Sequence, residues 1–302
     1  MNITYLISFI ETIKQDSISK AAKNLHMTQS ALSQQLQTLE KSLNANLLIR
    51  SNKGVNLTDE GEIVLGYAET LINLYDNMIK ELDQCKKSEL EEIKISACNS
   101  VGEYLLPCTL HLYKKDYKNV RFSLKTEHSK TVIDNILDCT SDVGFIDIES
   151  DMIINGIESY NICSNNLVFI FSNKLVLDKP CIGLEEIARL PIIIGSNRSS
   201  LRGIIEKLFI NNKIPVNSLN IEMELDTIES IKASVIANHG VSIVPYTAVK
   251  KELYTGTLRT LSIKDVTPSC NTFMIYQKSR SNQTHIKNFI SYIKKYGRES
   301  FC

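Results

Sequence analysis

Two short helical patterns with a three-residue break between them, followed at once by a basic hairpin, constrain this chain more than anything else in it. They lie in SISKAAKNLHMTQSALSQQLQTLEKSLN (17–44) and LLIRSNKGVNLT (47–58). Ser19 is placed to cap a helix over 20–25, in which Ala21 and Ala22 leave a surface that another helix approaches closely. His26 and Met27 make a tight break, and Thr28 is placed to cap a second helix from Gln29 to about Ser42. The helical period puts Ala31, Leu32, Leu36 and Leu39 inward and leaves Gln29, Ser30, Ser33, Gln34 and Gln37 outward. Upstream, Leu6, Phe9, Ile10 and Ile13 repeat at helical spacing and supply a third helix. The combination predicts a winged helix-turn-helix over 1–58, with the helix-turn-helix itself at about 18–37.

A helix face of Gln and Ser suits the major groove. Gln pairs bidentately with adenine N6 and N7, Ser donates or accepts at either kind of base edge, and both are short. The same stripe fits a merely solvated face, so the hairpin decides: Leu47, Leu48 and Ile49, a turn Ser51-Asn52-Lys53-Gly54, then Val55 and Leu57. Arg50 and Lys53 on such a wing are placed to meet phosphates. The residues expected at DNA are therefore Thr28, Gln29, Ser30, Ser33, Gln34, Arg50 and Lys53. Residues 1–58 carry six bases against three acids, a modest excess, so useful affinity needs two or more heads acting together.

The next segment, 59–88, reads as one long linker helix. Thr58 is placed to cap it, and Asp59 and Glu60 favour the positive end of its dipole. Val64, Tyr67, Leu71, Leu74, Met78 and Leu82 form a single apolar stripe on an otherwise acidic helix, which wants a partner: its own domain or a second copy. The whole chain balances 34 Lys and Arg against 34 Asp and Glu, which excludes a polycationic coat but not a local basic face. At 302 residues it has room for about two domains with real cores. MNITYLISFIETIKQD lacks the basic and apolar regions of a signal peptide, and no run approaches the roughly 18 apolar residues of a membrane span. Eight cysteines, with no CxxC and no close His, predict free thiols in a reducing cytosol, no metal site and a cytoplasmic protein.

From residue 92 to 302 the pattern changes to alternation. Strands at 93–97, 120–127, 142–148, 166–172, 190–195, 221–226, 241–245 and 272–278 are interleaved with helical segments, the last at 283–296. That order predicts an α/β fold with largely parallel sheets. Nothing in it suggests catalysis: there is no GxSxG, no P-loop and no GxG, and His26, His111, His128, His239 and His285 are dispersed.

SKAAKNLHMTQSALSQQLQTLEKSLNANLLIRSNKGVNLTDEG (19–61) resembles the N-terminal signature of LysR-type transcriptional regulators, in which AA, a turn, SQ-x-ALS, LE, L-x-x-LF-R and LT-x-x-G recur at this spacing. Asn44 stands where that family usually has Gly, although Asn tolerates the left-handed C-cap. Gln34 stands where Arg is frequent, and Leu48-Ile49 replaces a Phe-containing pair. The resemblance implies that 59–88 pairs with its copy as an antiparallel dimer seam, and that 92–302 is a two-lobed effector-binding domain like a periplasmic binding protein. Lobe I would take about 92–162 and 268–302, and lobe II about 163–267. It further implies double-stranded promoter DNA read by a homodimer or a dimer of dimers, RNA polymerase as a downstream partner, a small-molecule effector, and no cofactor. A sensor whose head docks on protein is the alternative, and the Gln and Ser face with its basic wing speaks against it.

Ligands of such folds bind beyond the carboxyl ends of strands, at helix N-termini. Asn99, Ser100 and Val101 follow the first strand, in CNSVGEYLLP, which resembles the family's S-x-GEYLLP segment. Ser129 opens the helix after the second strand. Ser199 and Arg202 lie in a stretch that resembles the family's GSGTR, with Ser200 and Leu201 departing from it, and Thr227 resembles the start of its [ST]-x-E segment. Hydroxyls, helix N-termini and Arg198 or Arg202 suit a small anion. Asn99, Ser100, Val101, Ser129, Ser199, Arg202 and Thr227 are the expected effector residues.

Overall fold

A computed structural model of the chain describes residues 2–51, 54–86, 90–148, 154–281 and 283–301. The chain splits into two compact units, Met1–Ser88 and Glu89–Cys302. In the first, helices α1 (Ile3–Lys14), α2 (Ile18–Asn24) and α3 (Gln29–Leu43) precede an antiparallel hairpin of β1 (Leu48–Ser51) and β2 (Gly54–Leu57), and then α4 (Asp59–Lys86). Leu6, Phe9, Ala21, Ala22, Leu32, Leu36, Leu39 and Leu47 form its core, with Ala68 of α4 packed in.

Polar side chains fix this unit's turns. Ser17, not Ser19, caps α2 and accepts from the Lys20 amide; a β-region residue two positions earlier satisfies one of the free N–H groups while Ser19 continues the helix. Asn44 closes α3 at φ 51° and ψ 40°, the left-handed cap expected of it. Glu40 reaches from α3 to the hairpin, where its Oε1 accepts from the Leu47 and Leu48 amides at 2.9 and 3.2 Å. Thr58 donates to the Asn46 carbonyl at 2.6 Å and accepts from Gly61 at 2.9 Å, so it joins hairpin and linker helix. Gly61 has to be glycine because a Cβ there would lie 2.2 Å from the Leu47 carbonyl oxygen. The LT-x-x-G pattern is thus a cap and a close approach.

The second unit contains β3 (Glu91–Ala97), α5 (Asn99–Tyr104), α6 (Leu106–Asp116), β4 (Val120–Thr126), α7 (Ser129–Leu137), β5 (Val143–Ile148), β6 (Ile157–Ser172), β7 (Cys181–Ile182), α8 (Leu184–Ile187) and β8 (Ile192–Gly195). It continues with α9 (Ser200–Asn211), β9 (Ile221–Leu225), α10 (Ile228–Ile236), β10 (Ser242–Pro245), α11 (Lys250–Thr255), β11 (Leu258–Ile263), β12 (Ser269–Gln277) and α12 (Thr284–Ser300). The main sheet runs β4-β3-β5-β12-β6-β11-β7, with β10 also on β6, and β8 pairs β9 apart from it.

The expectation of largely parallel sheets needs correcting. β3 pairs β4 and β5 in parallel, as β8 pairs β9 and β7 pairs β11, but β12 with β5 and β6, and β10 and β11 with β6, are antiparallel. The reason is β6 itself. Its first part pairs β12, and Leu167–Ser172 runs on between β10 and β11, so one strand serves both halves of the domain. Each half has its own core: Ile93, Ile95, Phe145, Met274 and Phe289 in lobe I, and Phe169, Phe171, Ile194, Phe209 and Ile243 in lobe II. Cys98, Cys139, Cys163, Cys181 and Cys270 are reduced, whereas Cys108 is disulfide-bonded, against the expectation of free thiols throughout. Among the described residues no helix is long and apolar enough to cross a membrane.

Candidate functional site

The head presents α3 by its N-terminal end. Thr28 Oγ1 accepts from the Ala31 amide at 3.2 Å and meets Ser30 Oγ at 3.0 Å, which sets the first turn. Leu32, Leu36 and Leu39 are buried, and this i, i+4, i+7 stripe turns Thr28, Gln29, Ser30, Gln34 and Gln37 to solvent, with Ser33 half-buried. Ala31 is exposed on the same face, not inward as its apolar character suggested. One residue before Leu32 it sits about 100° around the helix from the buried stripe. Arg50 takes its place in the hairpin ladder opposite Val55. Lys53 lies outside the described residues.

Four strand-to-helix junctions of the second unit meet at one cleft. Cys98, Asn99 and Ser100 come from the start of α5, Glu127, His128 and Ser129 from the start of α7, Gly195, Ser199, Ser200 and Leu201 from the start of α9, and Asp226, Ile228 and Ile231 from α10. The cleft encloses about 440 Å³ of empty space, its open mouth included. α5 lies close on the sheet because residue 102 is glycine: a Cβ there would meet Thr126 Cγ2 at 2.5 Å. Among the described residues, three side-chain hydrogen bonds join the lobes across this space. Asn99 Nδ2 donates to the Asp226 carbonyl at 3.3 Å, Ser129 and Ser200 hydroxyls meet at 2.9 Å, and the Tyr104 hydroxyl donates to Glu229 at 2.6 Å.

Asn99, Ser100, Ser129 and Ser199 come together in the lining as the sequence suggested; Val101, Arg202 and Thr227 are not part of it. Val101 faces the lobe I core. Arg202 is engaged by Glu206 and Glu224, each at 2.7 Å, and by the Gly195 carbonyl at 3.2 Å. Thr227 Oγ1 is spent on the Ser230 amide at 3.1 Å as the cap of α10. The spacing of hydroxyls told which helices open at the cleft, but not which residue of each opening turn points inward. Glu127, Asp226, Ile228 and Ile231, which the sequence did not single out, carried one signal, their place beside those caps.

The electrostatics are unusual for an anion pocket. No Lys or Arg is among the described residues lining it, and Glu127 and Asp226 are. Glu127 Oε2 accepts from Ser96 Oγ at 2.9 Å and from the Asn135 amide. Under the floor, Asp147 accepts hydrogen bonds from Ser100 and, at 2.5 Å, from Thr272, and burial pushes its carboxyl above the usual range against the pull of those bonds. Beside the cleft, burial and then the Glu229 charge raise Glu103. Burial also works to raise Glu229, but the Lys232 ammonium and Tyr104 hydroxyl bound to it outweigh burial and hold it below its ordinary value.

Comparison with known proteins places both units in one family. The family described as "Bacterial regulatory helix-turn-helix protein, lysR family" matches residues 3–62, and the LysR substrate binding domain matches 86–298. A probable RuBisCO transcriptional regulator of Cyanophora paradoxa is 32% identical over 257 residues, 84% of this chain and 79% of the relative. Among solved structures, full-length CbnR complexed with its target DNA superposes with a TM-score of 0.69 at 21% identity, covering 98% of this chain and 99% of that one. The effector binding domain of QuiR in complex with shikimate gives 0.61 at 20% identity, over 71% of this chain and 100% of its own.

Proposed function

The chain belongs to the LysR family of transcriptional regulators, and from that membership we propose that α3 reads promoter DNA while the cleft senses a small anion. The observation that carries the first half is the exposed face of α3, where Gln29 and Gln34 can pair with adenine, Ser30 and Ser33 with either base edge, and the Ala31 methyl with a thymine methyl. Arg50 and Lys53 meet phosphates on either side. Tyr67, Leu71, Leu74, Met78 and Leu82 of α4, all exposed, form the seam with a second copy, so that two heads reach two half-sites of one operator. Dimers pairing into tetramers, contact with RNA polymerase and a cytoplasmic location follow as parts of the same reading.

The anion reading of the cleft rests on convergence. α7, α9 and α10 each begin beside one space, next to the Ser100, Ser129 and Ser199 hydroxyls, and a helix start favours an anion. With Arg202 already neutralised, the ligand is held by backbone amides and hydroxyls, which favours a small carboxylate with hydroxyl groups of its own, as shikimate is in QuiR. Effector and DNA communicate through the lobes: an effector that binds two lobe arrangements unequally shifts their populations, and one that binds both equally shifts nothing. Protection mapping of the protein on the DNA flanking its own gene, across a salt series, tests the reading. Two protected half-sites that fade as salt rises are expected, and no protection at low salt there or in genome-wide selection of bound fragments overturns it.

A further inference from the structure

Two carboxylates are buried among the described residues, and they are treated differently. Asp142 meets the Arg280 guanidinium at 3.2 Å. Asp147 on β5, only 2% exposed, is bonded by neutral groups, Ser100 Oγ and Thr272 Oγ1, with the neutral Cys98 thiol beside them at 3.2 Å from Ser100 Oγ. Donor counting fixes the hydrogens. Asn165 Nδ2 donates to Thr272 Oγ1 at 2.9 Å, so the single Thr272 hydrogen goes to Asp147 Oδ1. Ser100 Oγ donates its single hydrogen to Asp147 Oδ2, which leaves it only the acceptor role toward the Cys98 thiol 3.2 Å away. Ser100 is also a lining residue of the cleft, and in this state it offers the cleft lone pairs alone. An anion arriving there meets an acceptor with a carboxylate directly behind it, which is a repulsive arrangement.

We propose that an anion enters this cleft together with one proton, which Asp147 takes up through Ser100. The inference rests on the anion reading of the cleft. The step balances as protein plus anion plus one solvent proton. One O–H bond forms on Asp147, which then donates to Ser100 Oγ, and the Ser100 hydrogen swings from Asp147 to the anion. Asp147 is the residue that positions the serine hydrogen, and the serine makes the contact. Its surroundings favour the neutral acid: burial already works in that direction, and the titratable groups packed around it are the thiols of Cys98, Cys163 and Cys270, each raised by its own burial first and further by the Asp147 charge. On the cleft side stand Glu127, His128 and Asp226. Of these, His128 carries the one imidazole and is separated by its own variant.

Calorimetric titration of the full chain with sodium sulfate, at constant ionic strength between about pH 5 and about pH 8, separates them, since sulfate itself keeps its charge over that range. Affinity should fall by up to about tenfold per pH unit as pH rises, with about one proton taken up per sulfate when buffers of different ionisation heat are compared. Asp147→Asn, whose amide donates to Ser100 at every pH, should flatten that profile, and His128→Gln should keep it. A protonated-carboxyl band should appear in the infrared difference spectrum of the unmodified protein on adding sulfate, which reads the same event if Asp147→Asn does not fold. Sulfate binding without proton uptake, or a slope that survives Asp147→Asn and vanishes in His128→Gln, overturns the inference and leaves the anion reading intact. No sulfate binding at any pH, in the unmodified protein and Asp147→Asn alike, overturns both.

Discussion

Lys232 is a nearly buried ammonium whose removal has a calculable cost. Its side chain is 5% exposed and bonds Glu229 at 2.8 Å and Glu252 at 3.0 Å, and it sits 5.2 Å from the centre of the Tyr104 ring. The three contacts differ in worth. Glu229 is 61% exposed, so its share is that of a surface pair, about 0.3–0.5 kcal/mol. The contact over Tyr104 adds about 0.5–1 kcal/mol. Glu252 is only 16% exposed and would be stranded without a cation, which costs about 2–3 kcal/mol, less than a fully buried charge would. Lys232→Met, which keeps the aliphatic stem, should therefore destabilise α10 and its surroundings by about 3–4 kcal/mol near neutral pH. Native-state hydrogen exchange of α10 amides in the full chain reads that loss. Two signatures follow from the mechanism. Glu252→Gln added to Lys232→Met should recover most of the loss, because no stranded charge remains. The gap to the unmodified protein should also narrow as pH falls, because Glu229, held below its ordinary value, gives up its stabilising contribution as pH drops through its folded value. A loss under about 1 kcal/mol, or one that Glu252→Gln does not recover, refutes the assignment of the cost to a stranded charge.

The remaining expectations concern the head and the linker helix. Gln29→Ala should weaken binding to the cognate site by about 5- to 150-fold and leave non-specific binding alone, which competition binding with scrambled DNA checks. Gly61→Ala should cost the head about 2–3 kcal/mol, because its Cβ would collide with a carbonyl oxygen. Gly66→Ala, with nothing within 4 Å of the added carbon, should be stabilising by about 1 kcal/mol, and thermal unfolding of both variants compares them. Leu74→Glu on the exposed stripe of α4 should shift the sedimenting species toward monomer and abolish paired half-site protection; a dimer that survives it removes Leu74 from the seam.

The head was legible because its motif residues act locally. Thr28 and Thr58 cap helices with side chains that reach their own neighbours, Asn44 closes α3 through its own left-handed backbone, and one-dimensional spacing records both. Ala31 was misplaced because an alanine is apolar by type yet small enough to stand in water at little cost. In the second unit the longer helices and most strands are legible from period, but the short α8, α11 and β7, the strand β11, the break between α5 and α6 and the direction of pairing are not. A 16-residue strand that leaves one lobe and finishes in the other has no signature in its own residues, so β6 was read only in its apolar end, NLVFIFS. The cleft was half legible. Caps at 99–100, 129 and 199 mark where helices begin, which is local; that Arg202 is consumed by Glu206 and Glu224 depends on β9 lying beside β8, which is not.

How strongly an effector switches the lobes is bounded by what it disturbs. Of the three side-chain bonds described across the cleft, Tyr104–Glu229 involves no lining residue and survives an occupied cleft, while Ser129–Ser200 and Asn99–Asp226 are made by residues that line it. A ligand that takes the Ser129 and Ser200 hydroxyls exchanges that bond for its own, and a neutral bond of this kind is worth about 0.5–1.5 kcal/mol net. That shifts a two-state equilibrium by about 2- to 12-fold. Moving it from 1:99 to 99:1 needs about 5.5 kcal/mol of differential affinity. The hydroxyl pair therefore supplies a minor share, and the rest has to come from the converging helix N-termini, whose amides meet one ligand only when both lobes are close. Ser129→Ala should then trim the effector response of a reporter promoter by no more than about tenfold without abolishing it. Complete loss would mean that the switch is carried by this single bond, and that the helix ends do not hold the ligand.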